Sequence, residues 1–155
     1  MTIQTTARPD PTRTAPGPGV AAGTVLDLLE RARSGLLAAC HSESAGERYT
    51  QAHLAALRAG AALLAARTVP SRRARPRSVW EMLPTVAPEL SEWAVYFADS
   101  GRRRLALERG TTQVSTRDAD DLVRSGEHFL ELVRSALHLP CETPLSIELA
   151  PLGRG

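Results

Sequence analysis

The segment Glu47–Arg67, ERYTQAHLAALRAGAALLAAR, constrains the fold of this chain more than any other stretch. It is rich in alanine and leucine, which have high helix propensity, and Gly60 is its one helix-breaking residue. On a helical wheel, one face is formed by Tyr49, His53, Ala56, Leu57, Gly60 and Leu64. A wide face of mostly small side chains predicts a central helix that packs closely against more than one neighbour.

A helix is also predicted before this segment. It starts near Thr24, where Thr24-x-x-Asp27 has the pattern of a capping box, and apolar residues then recur at helical spacing. Ser44-x-x-Glu47 is a second capping box and marks the start of the central helix. Because only residues 40–44 link the two helices, we expect them to form an antiparallel hairpin.

The second half of the chain predicts a short helix and a longer one. Ser78 starts the short helix, and Pro84 is expected to end it, because the residue before a proline disfavours helical geometry. Pro88 is suited to the first position of the next helix. Gly101 in its middle predicts a kink or a restart, and Gly110 is expected to cap its end.

The last long helix has the clearest pattern. Ser115-x-x-Asp118 is a further capping box, and residues 111–114 before it are expected to be an extended linker. One face of this helix carries Ala119, Leu122, Val123, Gly126, Phe129, Leu130, Val133 and Leu137. The alternating apolar residues at 145, 147 and 149 stand alone, so they predict a tail that lies on the bundle or is disordered.

These elements add up to an all-α fold, an antiparallel bundle of four main helices and one short helix. A length of 155 residues suits a single domain, and an aromatic content of 4% disfavours a sheet sandwich. We expect a disordered N-terminal tail over residues 1–22, where Pro, Thr and Gly predominate, a helical domain over residues 23–139, and a C-terminal tail over residues 140–155.

Charge and cysteine content limit the classes of function. All 19 basic residues are arginine, but 17 acidic residues offset them, so the net charge of +2 does not by itself indicate a nucleic-acid partner. Cys40 and Cys141 lack metal-ligand spacing, and no motif for a metal or other cofactor is present. Without an apolar leader or a membrane-length apolar run, we expect a cytoplasmic protein that makes no membrane contact.

His53 is the unusual residue of the central helix, because it lies near the middle of the face predicted to be buried. Tyr49 lies one turn earlier, and the two side chains could share a polar network. One interpretation is an acid/base or nucleotide-contacting histidine; the favoured one is a buried polar pair that sets the helix register. Arg48 precedes His53 by a spacing of four intervening residues, but the two diverge on the helical wheel.

Two arginine-containing groups are candidates for binding an anion. Arg72, Arg73, Arg75 and Arg77 lie in an exposed loop after the central helix. Arginine forks match phosphate geometry, and Trp80 just beyond the loop could stack a base. Arg124 and His128, one turn apart on the polar face of the last helix, could meet a phosphate together, although a solvated face is favoured.

The runs AHLAAL (52–57), RPRSVWE (75–81), EWAVYFA (92–98) and RDADDLVRSGEHFLELV (117–133) resemble an actinobacterial branch of the HEPN (higher eukaryotes and prokaryotes nucleotide-binding) superfamily. The resemblance covers about Val25 to Leu137. It implies a small helical bundle that commonly forms a homodimer. Many HEPN proteins are ribonucleases, often toxins, with an arginine, four to six residues and a histidine near the start of a late helix.

This chain departs from that ribonuclease motif. Arg124 and His128 have only three residues between them, as do Arg134 and His138. The resemblance therefore transfers no catalytic residue. Our first hypothesis is a non-catalytic domain that binds a nucleotide, RNA or a protein partner as a homodimer. The alternatives are a metal-independent endoribonuclease and a nucleic-acid-binding module that uses the loop of residues 72–77.

Overall fold

The computed structural model describes residues 18–69, 75 and 77–150 of the chain. Within these residues there are six helices and no strand, which confirms the predicted all-α fold. The helices are α1 (Pro18–His41), α2 (Ala45–Arg67), α3 (Val79–Val86), α4 (Ser91–Glu108), α5 (Thr116–Ala136) and α6 (Leu145–Glu148). A 3-10 turn at Pro88–Leu90 leads into α4.

Helix α2 lies at the centre of the bundle, as its composition predicts. It forms a tight hairpin with α1 and also packs against α3, α4 and α5. The Ser44 hydroxyl caps it by accepting a hydrogen bond from the Glu47 amide at 3.3 Å. A Cβ on Gly60 would lie 2.7 Å from a methyl carbon of Val79, so the absence of a side chain lets α3 approach α2 closely.

The remaining core joins α5 to an aromatic cluster from α3 and α4. The capping box is complete, because the Ser115 hydroxyl accepts a hydrogen bond from the Asp118 amide and the Asp118 carboxylate accepts one from the Ser115 amide. Seven of the eight residues predicted for the apolar face of α5 are buried, from Ala119 to Val133. Phe97 and Phe129 are fully buried, with ring centroids 5.0 Å apart. Aromatic packing of this kind fixes the positions of α3 and α4 over α2 and α5.

Several predicted boundaries differ from the structure. Helix α1 begins at Pro18, so residues 18–22, assigned to the disordered tail by composition, are helical; proline fits the first turn because its missing N–H is not needed there. Residues 1–17 lie outside the described residues. Helix α4 runs through Gly101 to Glu108 without a break, and Gly110 follows it with a φ of 71°.

Pro84 lies inside α3 instead of ending it. Proline removes only its own N–H, and the carbonyl of Leu83 still accepts a hydrogen bond from the Ala87 amide at 2.9 Å. The Thr85 hydroxyl bonds to the carbonyl of Met82 at 2.6 Å. The helix therefore continues to Val86 before the 3-10 turn begins.

The C-terminal segment lies on the bundle, one of the two predicted outcomes, and it contains the unpredicted helix α6. Leu145 is buried, and its amide donates a hydrogen bond to Glu127 at 2.8 Å. Arg33 of α1 binds Glu148 and the carbonyl of Thr143, and Arg134 of α5 binds Glu142. Residues 151–155 lie outside the described part of the chain.

Candidate functional site

His53 is buried where α2 meets α4, with 3% of its surface exposed. Its Nδ1 lies 2.7 Å from the Ser100 hydroxyl, which itself donates to the carbonyl of Phe97 at 3.0 Å. We therefore assign the imidazole proton to Nδ1, which donates to Ser100. The other nitrogen, Nε2, is then a hydrogen-bond acceptor, and no partner for it lies within the described residues.

The burial of His53 determines its charge. Removal from water, together with the nearby positive charge of Arg104, lowers the pKa of the imidazole to about 4. The side chain is thus neutral at physiological pH. A neutral imidazole with an unoccupied lone pair can accept a hydrogen bond from a ligand but offers no positive charge to a phosphate.

Gly101 leaves one edge of the His53 ring uncovered. A Cβ on this residue would lie 3.1 Å from Cε1 and 3.3 Å from Nε2 of His53, closer than ordinary contacts allow. Because Gly101 has no side chain, the ring edge faces a groove of about 530 Å³ between α2, α3 and α4. His53 therefore forms part of the floor of this groove.

The walls of the groove are mainly apolar and its rim is charged. Leu57, Trp80, Val95 and Leu105 contribute apolar surface, and Val95 is 70% exposed. Three charged residues also line the groove, namely Glu81, Arg102 and Arg104. The groove combines apolar walls, a few polar groups and a titratable residue, which is the usual composition of a small-molecule site.

Arg104 brings a second unsatisfied polar atom to the groove. Its Nη1 pairs with Glu108 at 2.6 Å, but its Nε is buried without a hydrogen-bond partner. Arg102 pairs with Asp99 at 3.2 Å, and both of these side chains are more than 70% exposed. Exposed pairs of this kind contribute little stability, so Arg102 can exchange its carboxylate partner for a ligand.

Tyr49 is buried as predicted, but it does not form a polar pair with His53. The Arg103 guanidinium lies 5.5 Å from the centroid of the Tyr49 ring and binds Asp118 at 2.8 Å. Burial raises the pKa of the Tyr49 hydroxyl, and Arg103 opposes that rise. The hydrogen bond from Arg103, with those from Ser115, lowers the pKa of Asp118. Successive turns of α2 thus face different parts of α4.

A comparison with known families supports the sequence resemblance. Residues 39–134, more than half of the chain, match the model of the SAV_6107-like HEPN family. The chain belongs to this HEPN family. No match was found among curated proteins or among solved structures.

The spacing of Arg48 and His53 in this HEPN domain does not produce a shared site. Arg48 binds Asp120 at 2.6 Å and the carbonyls of Ser42 and Ala39 at 2.8 and 3.2 Å. It therefore joins the α1–α2 turn to α5, whereas His53 faces α4. The divergence expected from the helical wheel separates the two side chains.

Arg124 and His128, the second arginine–histidine candidate, also contact different partners. Arg124 pairs with Asp121 at 3.2 Å and is 78% exposed. The His128 ring packs edge-on against Trp93, with centroids 5.2 Å apart. The two side chains lie on the exposed surface of α5, as the solvated-face interpretation expects.

The predicted arginine loop is described only at its end. Arg75 and Arg77 are exposed, and Arg77 directly precedes Ser78, which lines the groove. Arg72 and Arg73 lie outside the described residues. Trp80 is 8% exposed and stacks on Phe97 at 5.2 Å, so its ring belongs to the core and is not a free platform for a base.

The described part of the HEPN domain gives no support to a metal site, a membrane-spanning helix or a reactive Cys40 thiol. No group of three or more His, Cys, Asp or Glu residues there is arranged to hold a metal ion. None of the described helices is both long and apolar enough to cross a membrane. Burial, followed by the charge of Glu127, raises the pKa of the Cys40 thiol, which disfavours the reactive thiolate.

Sequence patterns missed three residues of the site. Gly101 predicted only a kink or a restart in α4, and neither Ser100 nor Arg104 had an assigned role. A usable signal existed in the pair of small residues on the face of α4 that meets α2. Small residues at a helix crossing permit close approach, and here they expose and orient a histidine.

Proposed function

We propose that this HEPN domain is a non-catalytic binding domain that takes a nucleotide or a single-stranded RNA segment in the groove between α2, α3 and α4. The observation that supports this most is the acceptor Nε2 of His53, a residue that lines an apolar groove together with two arginines. Arg104 lines the same groove, and its Nε is buried without a partner; such atoms are rare in native proteins and call for a ligand or water.

The rim supplies positive charge for a phosphate. Arg102 lines the groove, and the exposed Arg77 directly precedes Ser78, another lining residue. Glu81 also lines the groove and opposes an anion there, so we place the phosphate towards α4, next to Arg102. The fork of an arginine side chain binds phosphate oxygens through two parallel hydrogen bonds.

Binding is favoured over RNA cleavage because two arginine–histidine pairs close to the ribonuclease spacing, Arg48 with His53 and Arg124 with His128, do not share a site in the described structure. Arg48 is bound to Asp120 and two backbone carbonyls, and Arg124 is bound to Asp121. Metal-independent cleavage needs an acid/base and a cation at the same phosphate. Neither arrangement provides that combination.

The proposed function is tested by equilibrium binding of fluorescently labelled single-stranded RNA and of uridine 5′-monophosphate. We expect saturable binding that weakens with salt and weakens further in Arg102→Gln. Arg117→Gln is the matched control, because Arg117 is 91% exposed on α5. Equal affinities of the two variants, or the absence of binding to the wild-type protein, would contradict the proposal.

The same samples test the ribonuclease alternative. We expect the RNA to remain intact when it is analysed on a denaturing gel after prolonged incubation. Cleavage that disappears in His53→Ala or His128→Ala, with the variant still folded, would show that the domain is an enzyme.

Self-association is a second candidate, supported by the outer face of α4. Val95, Ala98, Arg102 and Leu105 follow the spacing of a helix-packing seam, yet Val95 and Leu105 are 70% and 42% exposed. Light scattering should then report a dimer that Val95→Glu disrupts. Leu26→Glu on α1, at 55% exposure, is the control. A monomer at all concentrations would exclude this candidate.

A further inference from the structure

Two polar atoms of opposite hydrogen-bonding character lack partners in the groove. His53 Nε2 is an acceptor, because Nδ1 carries the proton that is donated to Ser100. Arg104 Nε is a donor, buried and unpaired. Both side chains line the same groove. A ligand that offers both a donor and an acceptor, or a water molecule, would satisfy the two atoms.

A phosphate does not fit the floor of the groove. Its oxygens are acceptors and would face the lone pair of a neutral imidazole. A group with an N–H donor next to an acceptor fits better. It must also be flat and largely apolar, because the surrounding walls are provided by Leu57, Val95 and Leu105.

A nucleobase has these properties on its Watson–Crick edge. Uracil offers N3–H beside two carbonyl oxygens, and adenine offers an amino group beside N1. In a base pair these atoms are already occupied, so only an unpaired base can use them. Enzymes that take a base out of the stack read the same edge by hydrogen bonds between apolar side chains.

Resting on the proposed function, we infer that the groove reads the Watson–Crick edge of an unpaired nucleobase. His53 Nε2 accepts from the base, and Arg104 Nε donates to it. Gly101 provides the opening through which the base reaches His53. Arg104 must turn to bring its buried Nε to the base, and Glu108, its carboxylate partner among the described residues, is half exposed.

The experiment compares uridine 5′-monophosphate with 3-methyluridine 5′-monophosphate by calorimetric titration. The methyl group replaces the N3 proton and leaves the phosphate and ribose unchanged. We expect the methylated nucleotide to bind wild-type protein about tenfold more weakly or worse. Duplex RNA should fail to displace uridine 5′-monophosphate, whereas single-stranded RNA should displace it.

Gly101→Ala supplies the structural arm of the test. The added Cβ would cover the His53 ring edge, so binding of uridine 5′-monophosphate should fall to the level of the methylated nucleotide. Gly46→Ala is the matched control, because a Cβ there meets only the Ser44 hydroxyl at 3.8 Å. His53→Leu removes the acceptor without adding a side chain to α4, and it should have the same effect as Gly101→Ala. Circular dichroism establishes that each variant is folded.

The outcomes separate this inference from the proposed function. If wild-type protein binds neither nucleotide, the proposed function itself fails. If it binds both nucleotides equally and His53→Leu binds as well as wild type, the groove binds nucleotides without reading the base, and the inference fails alone. The same result would mean that a water molecule alone occupies the floor.

Discussion

Two clusters of polar side chains lie against helix α2, and they differ in whether their polar atoms have hydrogen-bond partners. The first, here called the turn cluster, consists of Arg48, Tyr49, Arg103, Asp118 and Asp120. Its ionic groups are paired, with Arg48–Asp120 at 2.6 Å and Arg103–Asp118 at 2.8 Å. The second, the groove cluster, consists of His53, Ser100 and Arg104, and it retains an unpaired acceptor and an unpaired donor.

The comparison teaches which polar residues hold the fold and which are available to a ligand. A satisfied network stabilises one arrangement of helices and has nothing left to offer. An unsatisfied pair costs stability and persists when something else compensates for it. Both clusters contain residues of an arginine–histidine spacing motif, so the spacing alone does not separate structure from function.

The largest expected effect is the loss of the turn cluster. Arg48→Ala removes three hydrogen bonds from a side chain that is 19% exposed, and should lower the free energy of unfolding by about 3 kcal/mol. Arg117→Ala, at 91% exposure, should change it by less than about 0.5 kcal/mol. Urea denaturation measures both. Nucleotide affinity should be unchanged in Arg48→Ala. If this variant loses nucleotide affinity as well as stability, the turn cluster is not purely structural.

The groove cluster should make stability depend on pH. The imidazole of His53 has a pKa of about 4 in the folded state and about 6.5 when unfolded. Between pH 6.5 and pH 4, His53 is protonated in the unfolded chain but stays neutral in the folded chain. The free energy of unfolding therefore decreases as the pH falls. From pH 7.5 to pH 5 the loss should be about 2 kcal/mol. Above pH 6.5 the stability that depends on a neutral His53 is fully present.

The control for the pH prediction is His53→Leu, which removes the titrating group. Its unfolding free energy, measured by urea denaturation, should vary less between pH 7.5 and pH 5 than that of the wild type. Identical pH profiles for the two proteins would mean that His53 is not held neutral by burial.

The smallest expected effect concerns the hydrogen bond that orients His53. Ser100→Ala leaves Nδ1 without its partner and should cost about 1 kcal/mol, a value set by one buried hydrogen bond. Because the proton can then move to Nε2, the groove would present a donor in place of an acceptor. Nucleotide affinity should therefore fall while the fold survives. Ser34→Ala, exposed on α1, is the control. Equal nucleotide affinities for the two variants would show that Ser100 does not contribute to binding.

Local sequence patterns predicted the helices well but their ends less well. The caps at Ser44, Ser78 and Ser115 each accept a hydrogen bond from the amide three residues later. These three signals succeed because capping involves neighbouring residues only, whereas the capping-box pattern at Thr24 lies inside α1 and does not mark its start. Pro18 and Pro84 misled the boundary predictions, since a proline in the first turn or a short helix costs less than its general propensity suggests.

The candidate site was predictable only in part. The wheel placed His53 on a buried face and separated it from Arg48, and both follow from helical periodicity. The partner assigned to it, Tyr49, was wrong, because two residues one turn apart on α2 meet different residues of α4. Ser100, the actual partner, lies 47 positions away in sequence.

The sequence by itself determined the all-α class, the central position of α2 and the apolar faces of α2 and α5, because these depend on periodicity and on contacts between neighbours. Only the tertiary structure decided which polar atoms are paired. Arg48 meets Asp120 across 72 positions, whereas Nε2 of His53 meets an opening left by Gly101. Hydrogen bonds between helices depend on how closely and at what angle the helices cross, and no local pattern contains that information.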